Sequence, residues 1–438
     1  MTKKKNTDFI VIGLALFAMF FGAGNLIFPP SIGINSGGKF SFAMLGFFIT
    51  GIGIPLLGVL SLSKAGGTVY KFANKGGNIF GKLFGVIVVL SIGPLLAIPR
   101  TAATTYEMGI VPVFGTISPL LVSVIYFGIT LALVIKPSAI VDNIGKILTP
   151  VILIILALII FKGITTPIGS LNPNVEISLA FSEGFLGGYQ TMDALGAIVL
   201  GVIAINAVKD KGYTDAAIQR KMILKSSLIA ASGLAIVYGG LLYLGATLSQ
   251  TLPLDTPKTE LMIYIAHTLL GNVGTYCLSI CVSFACLTTS VGLTATVGDY
   301  FYNLSNKKLK YEYIVIATAI FSTAMSVGGV EQIVKISVPL LVLIYPLSIV
   351  LILLNLVSDK INGKLPYQGA LFGAFIVSLN DCFGAMGITI DAFNKITSSL
   401  PLASQGFGWL LPSVIGFLVC TLISKNNNNN NNKLEKVS

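Results

Sequence analysis

The sequence predicts an all-α polytopic membrane protein of about twelve transmembrane helices, and three observations carry that expectation. Of its 438 residues, 54% are hydrophobic and only 10% charged, where soluble domains carry roughly 25% charged residues. The mean hydropathy is +0.88. Apolar runs of about 20 residues, the length that crosses a bilayer, recur from one end of the chain to the other. Lys and Arg, finally, crowd into alternate loops between those runs. One large soluble core would produce neither the run length nor the alternation.

The runs lie at approximately 8–34, 40–63, 80–106, 115–135, 141–162, 180–207, 222–248, 260–298, 311–330, 334–357, 367–388 and 404–424. The first follows Lys3-Lys4-Lys5, as in a secretory signal, but no small-residue cleavage site comes after it. Phe28-Pro29-Pro30 stands in that place, so an uncleaved span is expected. The first, third, sixth and eighth runs are long and rich in Gly, Pro or hydroxyl residues; the others read as plainer helices. On the third, Arg100 and Glu107 are functional suspects as intramembrane charges, but they lie two helical turns apart near a span end and read first as an interfacial or structural pair. The tail 425–438 contains the low-complexity stretch Asn426–Asn432 and is expected to be disordered.

With the N-terminus in the cytoplasm, that side holds all but six of the 28 Lys and Arg residues. The six are Lys39, Arg100, Lys162, Lys258, Lys335 and Lys395. This asymmetry predicts that both termini are cytoplasmic, and it accounts for the net charge of +11 without a nucleic-acid partner. Cys277, Cys281, Cys286, Cys382 and Cys420 all sit inside apolar runs and read as small buried hydrophobes. No loop exceeds about twenty residues, too short for a soluble domain, so residues 1–424 read as one integral-membrane unit. Function must then reside within the membrane.

Backbone leaves helical geometry at membrane depth only where protein or a water-filled cavity satisfies it. The stretch "FFGAGNLIFPPSIG" (Phe20–Gly33) has the composition of such a break. Gly22 and Gly24 open the backbone, Asn25 tolerates irregular conformation, and Pro29-Pro30 suit the first turn of a restarting half-helix. Glycine-mediated helix packing is the competing reading. Around the sixth run, "SEGFLGGYQTMD" (Ser182–Asp193) interrupts an apolar stretch again, about five spans later. Two interrupted segments in corresponding halves point to a transport site at a repeat interface. The halves are about 8–162 and 180–357, of opposite orientation, with 367–424 as additions.

The eighth run carries Thr288-Thr289-Ser290 with the Ala285 carbonyl one turn earlier, a hard-oxygen set suited to a small cation such as Na⁺. The alternative is that these hydroxyls bond back to their own helix or to a neighbour. Glu183 and Asp193 flank the sixth-run break and are functional suspects as intramembrane carboxylates. The only histidine, His267, reads as structural. The sequence contains no G-x-x-x-x-G-K-[ST], no H-E-x-x-H and no G-x-S-x-G, which argues against a built-in ATPase or hydrolase.

"FFGAGNLIFPPSIG", "GYQTMDALGAIVLG" (Gly188–Gly201) and "ACLTTSVGLT" (Ala285–Thr294) together resemble the branched-chain amino acid:cation symporters, the BrnQ-type carriers of bacteria. The first motif is also similar, more distantly, to the first span of LeuT-type sodium symporters. The resemblance implies uptake of Leu, Ile and Val across the bacterial plasma membrane, coupled to Na⁺ or, in some members, to H⁺. It implies a LeuT-like five-plus-five inverted repeat with helices 1 and 6 discontinuous and two extra C-terminal helices. Carried onto this chain, Gly22, Ala23, Gly24 and Asn25 hold the substrate carboxylate through backbone N–H groups. The carbonyls of Ala18, Phe21 and Ala285 bind Na⁺ with either Thr288-Thr289 or Thr289-Ser290. The ammonium group goes to Gly187, Gly188 and Tyr189, while Asp193 or Glu183 serves as a coupling carboxylate.

Neither a cofactor other than the coupling ion nor an obligatory protein partner is expected; lipid, substrate and cation are. Competing expectations are a proton-coupled or exchanging carrier for another small zwitterionic amino acid, a membrane-embedded enzyme, and a channel. A lone histidine offers the enzyme reading little. Saturable, ion-coupled uptake separates a carrier from a channel.

Overall fold

A computed structural model describes residues 7–135, 139–213 and 215–435, with the backbone alone over 139–149 and 426–435. Every regular element among the described residues is helical. The first half holds α1 (Asp8–Phe20), α2 (Ala23–Ser36), α3 (Phe40–Phe48), α4 (Ile54–Lys64), α5 (Val69–Ala73), α6 (Asn78–Leu90), α7 (Ala97–Thr104), α8 (Val111–Phe114), α9 (Pro119–Ile135) and α10 (Ala139–Thr165). Then come α11 (Ile177–Gln190), α12 (Asp193–Asp210), α13 (Ala216–Thr247), α14 (Lys258–Leu304), α15 (Tyr311–Ser326) and α16 (Gly329–Leu356). The chain ends with α17 (Leu365–Ala385), the short α18 (Asp391–Ser398) and α19 (Leu410–Glu435).

Six continuous runs among the described residues are long and apolar enough to cross a membrane: 23–64, 78–114, 177–210, 216–247, 258–304 and 329–356. Shorter apolar helices occupy 8–20, 119–135, 150–165 and 410–425. Several of the long runs are not single straight helices. π-helical turns interrupt them at Ile49–Gly53, Ser91–Leu95 and Thr105–Ile110. Gly93, next to Pro94, leaves helical geometry (φ −92°, ψ −127°). In α14, Gly271 (φ 63°, ψ −156°) separates an entry segment from the rest, so the eighth apolar run is two helical pieces. The asparagine run expected to be disordered continues α19, whose backbone is helical to Glu435. Propagating an existing helix costs little compared with nucleating one.

Small residues let the helices meet at backbone distance. Gly33 of α2 faces the Leu242 carbonyl of α13, and Gly245 of α13 faces the Pro30 carbonyl of α2. The half-helices α1 and α2 therefore both lie against α13, while α11 packs on α3 and α12 on α4. α14 supports α2, α7 and α10, and α17 with α19 forms a pair outside α16. In that pair Gly369 and Gly416 face each other's carbonyls. The centre of this arrangement is where α2 and α12 begin.

Candidate functional site

The first interruption falls where its glycines are. α1 stops at Phe20; Phe21 is extended, its N–H still bonded to the Phe17 carbonyl at 2.8 Å. Gly22 is extended too, and α2 starts at Ala23. Asn25, in the first turn, turns its Oδ1 back to accept the Gly22 N–H at 3.2 Å. The Ala18 carbonyl thereby loses its helical donor, while the N–H groups of Ala23 and Gly24 have no acceptor within their own helix. Pro29 and Pro30, expected in the first turn of the restarting half-helix, lie inside α2 instead. Gly22 and Asn25 begin it earlier, and the prolines instead deprive the Asn25 and Leu26 carbonyls of donors.

The second interruption falls elsewhere than its glycines. α11 remains helical through Gln190, so Gly187, Gly188 and Tyr189 are not unwound. Gly184 and Gly188 seat α11 on the Ala43 backbone and the Thr50 hydroxyl, and a Cβ on Gly187 would come within 2.5 Å of Ile32 Cδ1. These glycines serve packing. The chain breaks at Thr191 and at Met192, which adopts the left-handed conformation (φ 61°, ψ 14°), before α12 starts at Asp193. The Thr191 hydroxyl donates to the Gly188 carbonyl at 2.9 Å. Tyr189 stacks on Tyr345 (centroids 4.3 Å apart), whose hydroxyl accepts the Ala194 N–H at 3.3 Å. Glu183 is outside the site: its Oε1 accepts from Asn35 Nδ2 at 3.0 Å in an exposed position.

The two interruptions meet through side chains 168 residues apart: Asn25 Nδ2 donates to Asp193 Oδ2 at 2.8 Å. The same amide donates to the Tyr238 hydroxyl, which itself donates to Asp193 Oδ2 at 3.2 Å. All three residues are buried. Beside them lies a cavity of about 50 Å³, with Gly22, Ala23, Gly24, Thr191, Arg100 and Thr289 among its lining. Its apolar wall includes Met19, Phe20, Ile92, Leu200 and Leu293.

Tyr238 is the residue that sequence reasoning missed, and Arg100 is the one it assigned to a structural pair. For Arg100 a signal existed, since a charge inside a membrane span is a functional suspect by default. The expected pair with Glu107 does not form. The π-helical turn at Thr105–Ile110 replaces the two-turn spacing, and Glu107 instead accepts from Val330 N (2.8 Å) and Thr259 Oγ1 (2.6 Å). Nothing in the local sequence marks Tyr238, one of two tyrosines on a plain helix.

The three eighth-run hydroxyls diverge. Thr288 bonds back to the Ala285 carbonyl at 3.0 Å, and Ser290 Oγ lies 3.5 Å from Thr130 Oγ1 on α9. Thr289 faces the first interruption: its Oγ1 is 3.6 Å from where a Cβ on Gly22 would stand. Among the described residues, no group of three or more His, Cys, Asp or Glu side chains is arranged to hold a metal.

A profile of the family described as branched-chain amino acid transport protein matches residues 5–427. The branched-chain amino acid permease BraB of Bacillus subtilis is 40% identical over 94% of this chain and 94% of its own length. Branched-chain amino acid permease BrnQ of Escherichia coli K12 is 35% identical, again over 94% of both. Among solved structures, inward-facing Mhp1 aligns over 96% of this chain and 91% of its own, with a TM-score of 0.61 and 13% identity. MhsT in complex with L-phenylalanine aligns over 96% and 99%, with a TM-score of 0.52 and 16% identity. Likeness at that identity speaks to the fold, which is that of the LeuT-type transporters.

Proposed function

This chain belongs to the branched-chain amino acid transport protein family, and from that premise we propose that it imports Leu, Ile and Val by cation symport with alternating access. The observation that carries the site assignment is the junction of two broken helices, α1/α2 and α11/α12, around one cavity. A zwitterion needs an anion site and a cation site. The unpaired N–H groups of Ala23 and Gly24 at the positive end of α2 suit the carboxylate. Asp193, with the carbonyl end of α11 beside it, suits the ammonium group. The apolar wall takes the branched side chain. One methylene is worth only about 1–3 kcal/mol in such a pocket, so the three substrates share it.

For the cation we favour Na⁺, held by the Ala18, Phe21 and Ala285 carbonyls with Thr288 and Thr289. Two observations support that register. Thr289 faces the first interruption, and Thr288 already sits on the Ala285 carbonyl, whereas Ser290 turns to α9. A second reading, H⁺ as the coupling ion, is favoured by the Asp193 carboxylate bridging both half-helix starts. The reading also includes about twelve spans, two inverted repeats of five and cytoplasmic termini in a bacterial plasma membrane, which the loop charges support.

The test is labelled leucine uptake into proteoliposomes under an imposed Na⁺ or H⁺ gradient. Gradient-driven accumulation is expected, inhibited by unlabelled isoleucine and valine; accumulation with neither ion would sink the symporter reading. Replacing external Na⁺ by choline at constant pH separates the two ions. Uptake that survives this replacement, and is lost in Asp193→Asn, would favour H⁺.

A further inference from the structure

Arg100 is 3% exposed, yet no carboxylate lies within ion-pair distance of it: the ion pairs among the described residues are Lys64–Asp359, Lys211–Asp8 and Lys258–Glu331. Its Nη1 donates to the Gln190 carbonyl at 2.7 Å, capping the end of α11. Its Nε is buried with no acceptor. The guanidinium leans over the Phe28 ring, 5.3 Å from the centroid, and lies against Gly24, where a Cβ would stand 2.7 Å from Nη2. Asp193 borders the same cavity and acts on Arg100 as a distant counter-charge, but its Oδ2 accepts from the neutral donors Asn25 and Tyr238 and not from the guanidinium.

A buried cation whose counter-charge stands beyond ion-pair distance is costly. Here it also abuts the first turn of α2, whose free N–H groups and dipole are themselves positive. Two positive features meeting at a buried cavity repel each other unless an anion lies between them. Gly24 is what allows the approach, since any side chain there would displace the guanidinium.

Resting on the transport reading above, we propose that Arg100 is the charged receptor of the substrate's α-carboxylate. One arm of its fork is anchored on Gln190, and the remaining donors face the anion at the start of α2. The carboxylate thus completes a link between α7, α2 and the end of α11, and a substrate without it leaves the guanidinium buried and unpaired. Specificity for α-amino acids over branched amines and alcohols follows from this residue acting with the N–H groups at the start of α2.

Isothermal titration of the purified full chain, with leucine and with leucinol (carboxylate reduced to an alcohol), tests the assignment. Wild-type protein binds leucine more tightly than leucinol. Arg100→Gln weakens leucine about 10- to 100-fold, as for loss of a charge-assisted hydrogen bond, and changes leucinol by less than about threefold. Arg100→Lys, which keeps the charge but loses the fork, falls between for leucine and guards against a glutamine variant that fails to fold. A parallel loss of both ligands would make Arg100 a purely structural cap of α11 and overturn the proposal, as would unchanged leucine affinity. Wild-type protein that binds no leucine would instead overturn the transport reading.

Discussion

The two helix interruptions look alike in sequence and are built differently. At the first, Gly22 sits in the break and Asn25 reaches back to close it. At the second, Gly184, Gly187 and Gly188 are helical and press α11 onto its neighbours, while the chain turns at Thr191 and the left-handed Met192. A glycine cluster in a membrane span thus has two uses, backbone freedom and close approach. Only the surroundings tell them apart. The second break is made by a residue for which the left-handed region is unfavourable, so the packing of α11 and α12 must hold it there.

Substitutions can break this contrast. The largest effect is expected from Gly24→Leu, whose side chain would enter the space of the Arg100 guanidinium and the start of α2. Leucine uptake should fall by about 100-fold or more, with membrane insertion and elution on size exclusion unchanged. Normal uptake by this variant would return the first motif to helix packing alone.

Gly184→Ala should act by the other route. Its Cβ would stand 2.6 Å from the Ala43 carbonyl carbon, and backbone yields little. Destabilisation of about 1–3 kcal/mol is expected in thermal unfolding followed by a thiol-reactive dye, with uptake per folded molecule nearly intact. A loss of leucine affinity at unchanged stability would mean that the second glycine cluster does belong to the binding site.

Thr289→Ala should raise the half-saturating Na⁺ concentration for uptake about tenfold, the loss of one ion–dipole contact, while Ser290→Ala stays within about twofold. Equal effects would move the cation ligands one residue along α14. The smallest effect separates backbone from side chain at the second break. Met192→Gly and Met192→Ala both lose the buried side chain, but glycine should be more stable than alanine by about 1 kcal/mol in the same unfolding measurement, because only alanine keeps the left-handed penalty.

Much of the fold was legible in the sequence because hydropathy and loop charge are summed over local windows. Bilayer-length runs mark the helices whatever they pack against. The first break was legible for a similar reason: Gly22, Gly24 and Asn25 are adjacent, and their conformational freedom is intrinsic. The position of Pro29-Pro30 was not, because where a half-helix restarts depends on which N–H groups find acceptors. Arg100 and Glu107 illustrate the same limit. Their seven-residue spacing implied one face, and a π-helical turn, stabilised by tertiary contacts, gave each a different partner.

By itself, then, the sequence determined an all-helical membrane chain, the layout of its apolar runs and the site of the first interruption. Tertiary structure alone decided that the second interruption lies at Thr191-Met192, that Arg100 enters the cavity, and that Asn25, Asp193 and Tyr238 meet. The physical reason is separation. Propensity and hydropathy belong to neighbours in the chain, whereas the charges and hydrogen bonds of the site belong to residues up to 213 positions apart, brought together only when helices pack through their small residues.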